Sequence, residues 1–449
     1  MLTYQDFMAK ENTEEFLLRA INEHLSSKIY REAVIANDYD KQHNTTIINF
    51  QKLLYTMSGT AVPDNFSANY KLCSNFFNRF ITQENQFLLG NGINWTDPKT
   101  GEKLGKDFDT RMQELGHEAL VAGVAFGFWN YDHLEVFNIR EFVPLYDEEN
   151  GALMAGIRFW QIDSNKPLRI TLFELDGYTN YIRKNGKVEL LTDKRSYKEL
   201  TRTTEADGTE IYDGENYPTF PVVPLFANIH KQSELIGLRE QIDAYDLIKS
   251  GFANDLDDAS QIYWIIQNGS GMDDVDLAKF RERLKVVKAA VVEEDGARAE
   301  SHTMDVPYAA REALLSRLRS DLYDDFMALD TKDIVGGATT ATQIEAAYEP
   351  LNNKADQYEF CVIDFLQGIM TVAGIEDNPS FTRSYIVNRQ ETIQSLISSA
   401  QFLEPTYIMQ KILEVLGDGD KYEEMLEQVQ ANELGALNAN AEEEAESEQ

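Results

Sequence analysis

With 449 residues, 43% of them hydrophobic, the chain can bury more than one core and is expected to divide into several domains. Its formal net charge of −35, from 41 Lys and Arg against 76 Asp and Glu, repels nucleic acid at long range, which excludes tight gripping of phosphates as the main activity. Cys73 and Cys361 lie far apart in apolar helical patterns, which excludes a disulfide framework and marks them as reduced core residues.

The start, M-L-T-Y-Q-D-F-M-A-K-E-N-T-E-E, has no basic leader region, and no segment approaches the roughly 18 uninterrupted apolar residues of a membrane span. A protein made and kept in a cytosol is expected. Residues 1–118 are mostly helical in pattern, with turn signals at Ser58-Gly59, Pro63-Asp64 and Gly90-Asn91-Gly92. From Val121 the period changes. The stretches Val121 to Trp129, Leu153 to Ile162, Leu168 to Glu174 and Tyr178 to Ile182 are rich in β-branched and aromatic residues. Asn185-Gly186, between Tyr181-Ile182 and Val188-Leu190, is a hairpin signal, so an antiparallel sheet is predicted here. The polar run Asp193 to Asn216 reads as an exposed loop, ending in Y-P-T-F-P-V-V-P, Tyr217 to Pro224.

A helix is predicted from Glu234. Leu235, Leu238, Ile242, Tyr245, Phe252 and Leu256 share one face, and Arg239, Asp243, Asp246, Ser250, Asn254 and Asp257 line another, which reads as wet. Gly251 costs helix stability and points to a bend or a close approach by another helix. A compact insert follows, Ala259 to Val306, with a helix Val275 to Leu284 and a strand Val286 to Val292. The tract Pro307 to Ala373 then holds two long helical patterns. The first places Leu315, Leu318, Leu322, Phe326 and Leu329 on one face, with Arg317, Asp321 and Asp324 on another. Between the two lies D-T-K-D-I-V-G-G-A-T-T-A-T-Q, Asp330 to Gln343, where Gly336 and Gly337 permit positive φ and Thr339 and Thr340 keep the loop soluble. Ile334 and Val335 are apolar residues a simple surface connection does not need, and Lys332 is the loop's cation. The second helix, from about Thr342, carries Ile344, Ala347, Leu351, Tyr358, Val362, Phe365 and Ile369 on one face, with Pro350 inside to kink it. Asn388 to Val429 is helical in pattern, and the tail E-E-E-A-E-S-E-Q reads as disordered.

No catalytic constellation converges. The glycine-threonine loop lacks the G-K-[ST] ending of a phosphate-binding loop and follows a helix instead of a strand. N-D-L-D-D, Asn254 to Asp258, lacks the glycine and terminal glutamate of a calcium loop, and it reads as a solvated helix end. His24, His43, His117, His133, His230 and His302 include no H-E-x-x-H pair, so no metal is expected. Acid pairs such as Glu148-Glu149 and Asp324-Asp325 carry no weight in so acidic a chain, and Trp129 and Trp160 fit a sheet core. No enzyme activity and no cofactor are expected.

The stretch G-G-A-T-T-A-T-Q-I-E-A-A-Y-E-P-L-N-N-K-A-D-Q-Y-E resembles the tunnel loop and kinked helix of tailed-bacteriophage portal proteins of the SPP1-like family. L-I-G-L-R-E-Q-I-D-A-Y-D-L-I-K-S-G-F-A-N-D-L-D-D, Leu235 to Asp258, is similar to that family's first stem helix, and Asn69 to Ile93 to its N-terminal wing region, in the family's order. The resemblance implies a helix-rich mixed α+β portal fold that assembles into a ring: wing 1–233, first stem helix 234–258, clip 259–306, second stem helix 307–329, tunnel loop 330–341, kinked wing and crown helix 342–378, crown 379–434 and acidic tail 435–449. It implies a subunit of a cyclic homo-oligomer, typically of about twelve copies, forming the channel at one capsid vertex for packaging and ejecting double-stranded DNA. The implied partners are the terminase large subunit, a head-completion or connector protein, scaffold and major capsid protein, with no membrane. The implied place is the portal vertex of the virion, after synthesis in the host cytoplasm. The DNA-contacting loop would be Lys332, Asp333, Ile334, Val335, Gly336, Gly337, Thr339 and Thr340. The channel-facing stem candidates would be Arg239, Asp243, Asp246, Ser250, Asn254, Asp257, Arg317, Asp321 and Asp324, an acidic and polar face to which phosphates do not stick. A head-associated structural or scaffold-binding protein that forms no channel is the other reading of the same helices and charge.

Overall fold

A computed structural model of the chain describes residues 2–55, 59–64, 69–204, 210–259, 263–267, 298–302, 308–332, 341–383, 389–417, 419–422, 424–426 and 428–429. The chain forms two compact units, Met1–Ala328 with Asn353–Arg383, and Leu329–Asn352 with Ser384–Gln449.

The first unit opens with α1 (Tyr4–Met8), α2 (Thr13–Leu25), α3 (Lys28–Asp40) and α4 (Thr45–Ile48). Each begins after a capping side chain. Asn12 Oδ1 accepts the Glu14 and Glu15 N–H groups at 2.9 and 3.3 Å, and Asn44 Oδ1 accepts that of Ile47 at 3.2 Å, filling donors that a helix start leaves open. A short hairpin, β1 (Leu53–Tyr55) with β2 (Ala61–Pro63), precedes α5 (Phe76–Leu89). Then come β3 (Ile93–Asn94), α6 (Pro98–Leu104) and α7 (Phe108–Ala122). Phe77, Phe80, Ile81 and Leu88 of α5 and Met112, Leu115 and Ala119 of α7 are buried at helical spacing, in one core with Ala33 and Ala36 of α3.

The strands follow as β4 (Val124–Asn130), β5 (His133–Asn138), β6 (Phe142–Tyr146), β7 (Leu153–Trp160), β8 (Leu168–Glu174), β9 (Gly177–Lys184), β10 (Lys187–Arg195), β11 (Lys198–Thr204), β12 (Glu210–Glu215) and β13 (Val222–Phe226). They make an antiparallel five-stranded sheet in the order β10-β9-β8-β7-β6, a three-stranded sheet β13-β4-β5 and the hairpin β11-β12. Asn185 and Gly186 join β9 to β10 at φ 48° and 80°, the backbone of a two-residue turn whose twist matches its strands. One face of the five-stranded sheet packs Ile157, Ile170 and Leu172 with Phe7 of α1 and Leu17 and Ile21 of α2, a second core.

After the strands run α8 (Arg239–Ala259), β14 (Tyr263–Gln267) paired with β15 (Arg298–His302), α9 (Tyr308–Phe326) and the 33-residue α10 (Ala341–Ala373), which has Pro350 inside it. Tyr358, Val362, Phe365 and Ile369 of α10 are buried in the first core. Phe365 lies so close to β4 that a Cβ on Gly127 would stand 2.5 Å from its Cζ. A last strand, β16 (Ser380–Phe381), pairs with β3. The second unit holds the start of α10, then α11 (Arg389–Ser399) and α12 (Pro405–Leu416); Pro405 starts α12 and Gly417, at φ 87°, ends it.

The helix-rich mixed α+β class and the antiparallel sheet are as the sequence predicts, with three differences. Val121 and Ala122 close α7 instead of opening a strand, because Gly123, at φ 90°, caps the helix by donating its N–H to Ala119 O at 2.7 Å. The described residues of the run Asp193 to Asn216 are mostly strand, the end of β10 with β11 and β12: buried Tyr197 donates its hydroxyl to Glu174 O at 2.6 Å, and Asn216 accepts the Tyr197 N–H at 3.1 Å. β-branched Thr201, Thr203 and Thr204 in β11 favour a strand, a preference that overall polarity conceals. Leu235 and Leu238 lie in a turn ahead of α8, buried as expected, whereas Leu256 is exposed. The helix Val275 to Leu284, the strand Val286 to Val292 and the tail 435–449 lie outside the described residues.

Candidate functional site

The stem candidates sit on α8 and α9, which pack together; Arg311 of α9 pairs with Asp255 of α8, and Phe252 meets Tyr308 edge-on at 5.7 Å. Their polar residues do not share one environment. Arg317 is exposed and reaches Asp321 at 2.8 Å, and Asp324 and Asp257 are exposed. Arg239 lies 3.9 Å from Asp243, whose Oδ1 accepts the Tyr39 hydroxyl at 2.5 Å. Burial, then that bond, push the Tyr39 phenol up to about 12.

Asp246, Ser250 and Asn254 are buried, with exposures of 0%, 5% and 4%. This corrects their reading as channel-facing. They stand at four-residue steps continuing the stripe that Ile242 begins, and they take up the N–H groups of a segment laid along the helix. Asp246 Oδ1 accepts Ser74 N–H at 2.8 Å, Ser250 Oγ accepts Leu72 N–H at 2.9 Å, and Asn254 Oδ1 accepts Tyr70 N–H at 2.6 Å. The two repeats nearly match, since four helical residues rise about 6 Å and two extended residues about 6.6 Å. Asp246 Oδ2 also accepts Asn44 Nδ2 at 2.9 Å. Burial raises the Asp246 carboxyl above its ordinary value, against the lowering effect of its bonds from Asn44 and Ser74.

Of the loop candidates, Lys332 is described and exposed, its N–H bonded to Asp330 Oδ1 at 3.1 Å. Asp333, Ile334, Val335, Gly336, Gly337, Thr339 and Thr340 lie outside the described residues. Among the described residues no group of three or more His, Cys, Asp or Glu is placed to hold a metal ion, and no helix is long and apolar enough to cross a membrane.

The sequence matches the family described as "Phage portal protein, SPP1 Gp6-like" over residues 23–434, most of its length. The chain belongs to this phage portal family. Among its relatives, the portal protein of Clostridium phage phiCD119 is 25% identical over 316 residues, covering 65% of this chain and 67% of that one. The portal protein of Bacillus phage SPP1 is 23% identical over 409 residues, covering 80% and 74%. A chain in the virion of a native gene transfer agent particle aligns at a TM-score of 0.43 and 10% identity, over 74% of this chain and 88% of that one.

One feature of this portal chain is absent from the sequence-derived candidates. Lys354 of α10, with a side chain only 15% exposed, binds Glu234 Oε2 at 2.5 Å, lies 3.7 Å from Glu84 Oε2 and stands 4.0 Å from the Phe326 ring centroid. Glu84 is fully buried in α5, and burial, opposed by Lys354, pushes its carboxyl up to about 8. Its Oε2 has no hydrogen-bond partner, and neither has the Tyr358 hydroxyl one turn beyond Lys354. Glycine at 116 leaves that hydroxyl its room, for a Cβ there would lie 2.6 Å from it. The signal is readable in hindsight: Glu84 falls between Phe80 and Leu88, and Lys354 between Leu351 and Tyr358, both inside apolar stripes.

Proposed function

We propose that this chain is the subunit of a ring at one capsid vertex, a conduit for packaging and ejecting double-stranded DNA, with the terminase large subunit and later a head-completion or connector protein docking on the clip. The observation that carries this reading is the portal-family match over residues 23–434. Charge supports it. A channel through which a duplex slides must not bind phosphates tightly, and the net charge of −35 with exposed Asp257 and Asp324 on the two stem helices offers little for DNA to hold. Arg239, Asp243, Asp257, Arg317, Asp321 and Asp324 remain the channel-facing candidates, and Lys332 heads the loop that meets DNA. Scaffold and major capsid protein are the assembly partners, and ATP hydrolysis belongs to the motor.

Purified protein is expected to form a closed ring of roughly ten to fourteen subunits, since a heterologous interface that closes generates a cyclic assembly. Native mass spectrometry and negative-stain imaging read this directly, and a chain that stays monomeric at high concentration would reject the reading. In assembled particles, Lys332→Ala should leave the ring intact and lower the DNA packaged per capsid. Normal DNA content would remove Lys332 from the contact set.

A further inference from the structure

One end of the five-stranded sheet carries a charge opposite in sign to that of the chain as a whole. The connection from β7 to β8 and the turn from β9 to β10 lie side by side there, because Trp160 pairs with Arg169, and Leu168 with Arg183, which pairs in turn with Val188. Residues 161–169 and 183–189 hold the cations Lys166, Arg169, Arg183, Lys184 and Lys187 against the acids Asp163 and Glu189, in a chain of net charge −35. All five cations are exposed, and none of them makes an ion pair with a described residue. At the opposite end of the same sheet, Lys194 pairs with both Glu174, at 3.0 Å, and Asp176. Arg169 stands opposite Ile182, two residues before Lys184, and Lys187 stands opposite Lys184, so these three cations share one sheet face. Like charges placed directly opposite one another destabilise a sheet, and no acid in the structure relieves the Lys184 and Lys187 pair.

We propose that this sheet end is a loose, sequence-independent binding site for the phosphate backbone of duplex DNA, separate from the channel. The assignment goes beyond the conduit reading and does not need it. Size and charge match: the three strands β8, β9 and β10 span about 10 Å, over which a duplex carries about six negative charges. The acidity of the rest of the chain does not cancel the attraction. At about 0.1 M salt the Debye length is about 10 Å, so a duplex at the sheet end feels the local cations more than the charge spread over the whole molecule. Ser164, Asn165 and Asn185 are exposed among the cations, side chains of the kind that also bond phosphate oxygens. A protein partner fits less well. Interface centres are apolar and poor in lysine, and Ile162, 87% exposed, is the only large apolar side chain exposed among residues 161–169 and 183–189.

The test uses the full-length protein and covalently closed circular duplex DNA, which cannot thread a closed ring. Five neutralised phosphates give a slope of about −4.5 for log affinity against log salt, a loss of about 500-fold between about 50 and 200 mM. Arg183→Gln, Lys184→Gln and Lys187→Gln together should reduce the slope to about −2 and weaken binding at low salt at least about tenfold. Lys166→Gln with Arg169→Gln should reduce it to about −3, and this variant carries the same test if the turn variant does not fold. Lys99→Gln, Lys103→Gln and Lys106→Gln remove equal charge from exposed positions in and after α6, where Glu102, Asp107 and Asp109 intervene. That control should bind within about twofold of the parent. The assignment is overturned if the parent does not bind the circle at low salt, if the sheet-end variants keep its slope, or if the α6 control loses as much, which would make net charge the cause. It is also overturned if the sheet-end variants keep DNA binding and lose self-assembly, which would make this surface a contact for an acidic protein. A chain that forms no ring still presents the same sheet end, so failure of the ring prediction leaves this readout intact.

Discussion

Glu84 carries a pH dependence whose sign follows from its burial. Its folded value, about 8, lies above the ordinary 4.5, so between these values the folded chain holds a proton that the unfolded chain has lost. Its contribution to stability is complete below 4.5 and falls away as pH rises through about 8. Lys354 is raised above 10.5 and stays charged in both states throughout that window, so it adds no slope there. His117 is raised by its bond to Asp40 at 3.1 Å and acts in the same sense above its ordinary 6.5, as a contribution that Glu84 substitution leaves in place. Urea unfolding of the parent should therefore show a midpoint that falls between about pH 5 and pH 8, and Glu84→Gln should flatten most of that fall. An unchanged slope in Glu84→Gln would mean that the carboxyl is ionised in the folded chain at neutral pH.

Along α8 one stripe changes chemistry without changing its burial. Ile242 packs, while Asp246, Ser250 and Asn254 accept backbone N–H groups from residues 74, 72 and 70. Ser250→Ala would leave the Leu72 N–H without its acceptor in a mostly buried place, at a cost of about 1–3 kcal/mol. Native-state exchange should be faster at Leu72 and its neighbours 70 and 74, with α5 and the five-stranded sheet unaffected. Exchange at Leu72 equal to the parent would show that water replaces the hydroxyl and that the seam is not a tight one. The same seam is why the polar stripe of α8 is buried although its sequence pattern reads as wet. Periodicity reports which residues share a face, and it assigns polar faces to solvent by default; here an extended segment from far upstream supplies the partners, so the polar face turns inward.

The chain joins a strongly acidic composition to a helix-rich mixed α+β fold. The net charge of −35 leads to an expected duplex affinity that is weak and strongly salt-sensitive, with no ATPase or nuclease activity above background in the purified ring. Filter binding across a salt series checks the first part, and nanomolar binding persisting at high salt would contradict a low-adhesion channel. Family membership supports a structural component of a phage head, and the burial of Asp246, Ser250 and Asn254 removes them from the proposed channel-facing set.

Local pattern was enough for much of this protein. The stripe Tyr358, Val362, Phe365 and Ile369, the Asn185-Gly186 turn and the strands from Leu153 to Ile182 are set by spacing and backbone preference within a few residues, so they read directly from the chain. The portal resemblance was legible in other local stretches, Gly336 to Glu359, Leu235 to Asp258 and Asn69 to Ile93. The ion cluster at Lys354 and the ladder on α8 did not read this way. Whether a carboxylate or ammonium is buried depends on which distant segment arrives to pair with it: Glu84, Glu234, Phe326 and Lys354 meet from four parts of the chain, and residues 70 and 72 reach α8 across 184 and 178 residues of sequence. Only folding brings such partners within the few ångströms over which a desolvated charge or an N–H group can be satisfied.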